Sequence, residues 1–118
     1  MAEAQEHYQM LVRILNEEHT EQIEDKRQGL RVDTLAPRLI EEEYHNACRV
    51  QDRGNFLDAV RVLLRDESQS NVNVGTLVDF TFYHAPHEFD TEIEALKDRP
   101  GLTTSIRKFV YAYTTMRE

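Results

Sequence analysis

The chain has 118 residues, 40% of them hydrophobic and 31% charged, a composition that excludes a disordered segment and suits one folded domain, 1–118, with a single core. Its formal charge of −8 argues against a non-specific nucleic-acid or anionic-membrane surface, where Lys and Arg must meet phosphates, and favours a partner with a basic surface. Its one cysteine, Cys48, leaves no internal disulfide.

No apolar run approaches the roughly 18 residues of a membrane span, and the opening MAEAQEHYQ is acidic, unlike the basic and apolar regions of a signal peptide. A cytoplasmic protein without a membrane partner is expected. Trp is absent and Gly and Pro are few, which suits helices better than a turn-rich β sandwich.

In chain order, Ala2 to about Lys26 reads as one long helix with Ala4, Tyr8, Leu11, Leu15 and Ile23 on one stripe. The stripe thins after Leu15, where His19 and Gln22 occupy positions a core helix would fill with apolar groups. The end of this helix is therefore expected to leave the body of the protein. Gly29 is read as its stop, and Asp33 or Thr34 as the cap of the next helix, with Pro37 tolerated in the first turn.

Leu35 to Asp66 then forms a central helical hairpin. Ile40, Tyr44, Ala47 and Cys48 make the apolar face of its first arm, and Phe56, Ala59, Val60, Leu63 and Leu64 that of its second. Gly54 is the predicted turn and Asn55 the predicted N-cap.

Val72 to His84 is ambiguous. Val72, Val74, Thr76, Val78, Phe80 and Phe82 alternate as in a strand, whereas Val74, Leu77, Val78, Phe82 and Ala85 make a helical stripe. Helix is preferred here, and again for 107–114, where Ile106, Phe109, Val110 and Tyr113 line one side. Between these two segments, Thr91 and Glu94 form a predicted capping box, and Thr103 or Thr104 starts the last helix. The expected fold is all-α, an irregular bundle of about five to six helices on the central hairpin. The alternative is α+β, with a small two-stranded sheet from 72–84 and 107–114.

Ala47, Gly54, Phe56 and Ala59 carry the small, glycine, aromatic and small spacing by which the hairpin resembles one tetratricopeptide repeat. That family binds partner peptides in a groove of several stacked repeats. No second copy is visible at the period of about 34 residues, and about three are needed for a solenoid, so the resemblance implies a hairpin alone.

Few residues ask for chemistry. His84, His87 and Asp90 have metal-ligand types, and Glu42 and His45 share a helical face, so Zn or Fe binding is one alternative function. Cys48 lies on the apolar face and reads as a small core residue, and no phosphate loop or nucleophile elbow is present. The runs Glu17-Glu18, Glu21, Glu24-Asp25 and Glu41-Glu42-Glu43 suggest a second alternative, an acidic mimic that blocks a nucleic-acid-binding protein.

The aromatic residues crowd the last third, and Tyr111 falls opposite the predicted apolar face of the final helix. The expected function is a non-catalytic protein–protein interaction module: an adaptor, an assembly subunit or an inhibitor. It needs no cofactor or metal, can self-associate, and is expected to bind through His19, Gln22, Ile23 and Tyr111.

Overall fold

A computed structural model describes residues 4–16, 20–25, 29–34 and 36–116. Six helices form the body: α1 (Ala4–Asn16), α2 (Ala36–Arg49), α3 (Arg53–Arg65), α4 (Asn71–His84), α5 (Asp90–Leu96) and α6 (Thr104–Met116). The all-α bundle expected from the periodicities is what the helices build. Both ambiguous segments, 72–84 and 107–114, are helical, so the alternative sheet between them does not form.

The long first helix is corrected. It ends at Asn16, and Thr20–Asp25 and Gly29–Thr34 are strands β1 and β2 of an antiparallel ribbon between α1 and α2. The register pairs Ile23 with Arg31, Gln22 with Val32 and Thr20 with Thr34. Gly29 thus opens a strand where it was expected to stop a helix, and Asp33 and Thr34 close one where a cap was expected. Pro37 does sit in the first turn of α2, where its missing N–H has no intrahelical acceptor to lose.

The core follows the helical stripes. Phe56, Ala59, Val60, Leu63 and Leu64 of α3 are buried with Ile40, Tyr44 and Ala47 of α2, Leu11 and Ile14 of α1, and Val74, Leu77 and Val78 of α4. Cys48 is half-buried and packs against this core, a free thiol in the place expected of a small core residue. Ile93, Leu96, Val110 and Tyr113 extend the core into α5 and α6. Removing these side chains from water supplies the main driving force, about 25 cal/mol per Å² of apolar surface.

The starts of α3 and α5 differ from those expected, whereas α6 starts at Thr104 as expected. The α2–α3 turn is made at Gln51, with φ 59°, and Asp52 stands at the N-cap of α3, leaving Gly54 and Asn55 inside its first turn. α5 starts at Asp90 after Phe89, so Thr91 lies within the helix and the expected capping box is not made. Ser70 caps α4, its hydroxyl accepting from Asn73 N–H at 3.3 Å, and Thr103 caps α6 by accepting from Ile106 N–H at 3.3 Å. α5 has only seven residues, so the helices after the hairpin do not continue as equal pairs and the repeat-like spacing stays confined to α2 and α3.

Candidate functional site

Several polar groups of the bundle hold helices together. His7 of α1 donates to the buried Asp52 at 2.7 Å, and Asn55 donates to the same carboxylate at 2.8 Å. The hydrogen bond from His7 holds the Asp52 carboxyl below the usual aspartate range; burial opposes it and Asn55 assists. Arg53 donates to Tyr44 Oη at 2.9 Å and to Glu88 at 2.8 Å, while Tyr44 donates to the His84 carbonyl at 3.3 Å. Glu88 and then Tyr44 hold the Arg53 guanidinium above its ordinary pKa.

On the α5 side, one oxygen of buried Glu92 accepts from Arg61 at 2.9 Å and from Arg65 at 3.0 Å, and the Arg61 guanidinium lies 4.9 Å from the centre of the Phe89 ring. Buried Arg99 donates to the Asp66 carbonyl at 2.7 Å and reaches the Leu64 and Gln69 carbonyls at 3.5 Å. It closes the C-terminal end of α3, where carbonyls lack intrahelical donors and the helix dipole favours a cation.

The structure divides the expected metal set. His87 faces Asp90 at 3.5 Å, whereas His84 lies 3.8 Å from Glu41, which also lies 3.5 Å from His45. Glu41, not Glu42, is thus the carboxylate beside His45. Among the described residues no group of three or more His, Cys, Asp or Glu is arranged to hold a metal ion.

Of the acidic runs, Glu17 and Glu18 lie outside the described residues, Glu21, Glu24 and Asp25 fall in β1, and Glu41–Glu43 in α2. Of the residues expected as one partner surface, three lie in described elements. Gln22 and Ile23 are in β1, His19 lies outside the described residues, and Tyr111 is on α6 with the Lys97 amine 5.0 Å from its ring centre.

The surface with the least internal use runs between α4 and α6. α4 is the most apolar of the five longer helices and carries its apolar residues on nearly every side, the pattern of a helix buried all round. Yet Val72 is 74% and Tyr83 69% exposed, and Phe109 on the facing helix, expected inside, is 39% exposed.

Two adjoining open depressions follow this seam. One, about 420 Å³, is lined by Pro37, Val72, Gly75, Thr76, Ser105 and Ile106, and the other, about 190 Å³, by Phe82, Tyr83, Ala112 and Tyr113; both share Asp79 and Phe109.

Side-chain contacts join the two helices along the seam. A Cβ added at Gly75 would meet Ile106 Cδ1 at 3.4 Å, an ordinary van der Waals contact, so α4 and α6 lie against each other here. Asn71 accepts from Thr103 N–H at 2.8 Å and ties the start of α4 to the start of α6. At the far end Tyr113 Oη lies 3.3 Å from Thr81 Oγ1, and burial pushes the Tyr113 phenol above its ordinary pKa. Sequence reasoning placed Phe109 inside and singled out Tyr111. The available signal for the groove was the excess of apolar residues over one helical face in 72–83.

Compared with known proteins, the chain matches no family model, no curated protein and no solved structure at a significant level. No helix among the described residues is long and apolar enough to cross a membrane.

Proposed function

We propose that this protein is a non-catalytic interaction module that binds another protein through the α4–α6 groove. The observation that carries the reading is the exposure of Val72, Tyr83 and Phe109 around a seam whose floor is already packed. Aromatic residues standing in open apolar depressions are the usual anchors of protein interfaces. The polar clusters elsewhere, His7 with Asp52 and Glu92 with Arg61 and Arg65, connect helices to one another.

Affinity capture with the tagged protein, run beside the Tyr83→Ser and Phe109→Ser variants, tests the reading. A stoichiometric partner retained by the wild type and lost by both folded variants is the expected result. A partner retained equally by all three proteins would place the interface elsewhere.

A further inference from the structure

We infer that the groove accepts an amphipathic helix with a Lys or Arg among its apolar anchors, the cation meeting Asp79. The inference rests on the groove being the interaction surface and names what occupies it.

Asp79 is the central charge of the surface. It lines both depressions of the seam and a third, smaller one shared with Glu41 and His84 on the α2 side. Among the described residues no Lys or Arg lines any of the three, and the fixed charges that do are two carboxylates. Among the described residues Asp79 makes no hydrogen bond or ion pair, in contrast to Glu88 and Glu92, each of which accepts from arginine. In water an exposed carboxylate needs no partner. Once apolar groups cover it, an unpaired charge is strongly unfavourable unless the occupant brings a cation.

Backbone chemistry selects the shape of the occupant. Most of the seam is walled by side chains of two helices whose N–H and C=O groups beyond the end turns are paired within each helix, so it offers no row of backbone partners to an extended peptide. A helix arrives with its backbone already hydrogen-bonded and presents side chains at i, i+3, i+4 and i+7, the spacing that helix-binding grooves read.

The same charge disfavours a second copy of this chain. A two-fold pairing centred on this patch would bring Asp79 of one protomer towards Asp79 of the other inside an apolar contact.

The test is selection from a displayed library of helical peptides randomised on one face, followed by fluorescence anisotropy of the best binder with wild type, Asp79→Lys, Asp79→Asn and Tyr83→Ser. Circular dichroism confirms that each variant is folded. Enriched peptides should carry Lys or Arg within a turn of large apolar residues, and Asp79→Lys should weaken binding by about tenfold or more, Asp79→Asn by less.

Peptides that lose affinity for Tyr83→Ser but lack a cation, or are indifferent to Asp79→Lys, would overturn the basic helix and leave the groove standing. Enriched peptides indifferent to Tyr83→Ser, or no enrichment at all, would overturn the groove itself. A dimer in sedimentation that Tyr83→Ser converts to monomer would make the occupant a second copy and overturn the inference.

Discussion

Helices α3 and α4 have 13 and 14 residues and lie in one core, yet they treat their outer faces differently. α3 buries Phe56, Leu57, Val60 and Leu63 inward and turns Arg53, Arg61 and Arg65 outward, each arginine held by a carboxylate of the 88–92 segment. α4 buries Val74, Leu77, Val78 and Phe80 and turns outward Val72, Asp79 and Tyr83, of which Asp79 makes no hydrogen bond or ion pair among the described residues. The lesson is one of division of labour. Side chains that are already satisfied inside the chain hold the fold, and those left unsatisfied are where a partner adds most.

If that contrast holds, damage on the α3 side reads out as lost stability. Phe56→Ala, at 1% exposure and ringed by His7, Tyr44 and Phe80, should cost the most, about 3–5 kcal/mol in urea unfolding. Arg99→Met should cost about 1–3 kcal/mol, because it strips the donor from the carbonyls at the end of α3.

Acid should act on the same side. The carboxyls of Asp52, held by His7, and Asp66, held by Ser68, both lie below their ordinary values, so the folded chain binds fewer protons than the unfolded one in acid. Their contribution is complete above the unfolded value of about 3.9 and is lost as the pH falls through the folded values. The urea midpoint should therefore drop between pH 5 and about pH 3, and Asp52→Asn should flatten that drop.

On the α4 side the smallest stability effect is expected: Tyr83→Ser should leave unfolding within about 0.5 kcal/mol of wild type. A Tyr83 variant as damaged as Phe56→Ala would erase the contrast.

The hairpin was legible in the sequence because burial follows the helical period closely at Ile40, Tyr44, Ala47, Phe56, Val60 and Leu63. Its turn was less so, since Gln51 rather than the available Gly54 takes the left-handed conformation. The ribbon could not be read. Its strands offer Ile23, Leu30 and Val32, none of them opposite another in register, among Glu, Gln and Arg that favour helices.

The 72–84 segment confused helix with strand for the same reason that it now marks the groove: apolar residues on almost every side satisfy both periods at once. Phe109 looked interior because it shares a stripe with Ile106 and Val110. A one-dimensional stripe does not show how much of that face the opposing helix covers.

Photo-crosslinking tests the central contrast most directly, with benzoylphenylalanine placed at Tyr83 in one protein and at Arg65 in another, both expressed in the cells from which the gene comes. The account predicts a defined adduct with another protein from position 83 and none from position 65. An adduct confined to position 65, or equal adducts from both, would contradict it.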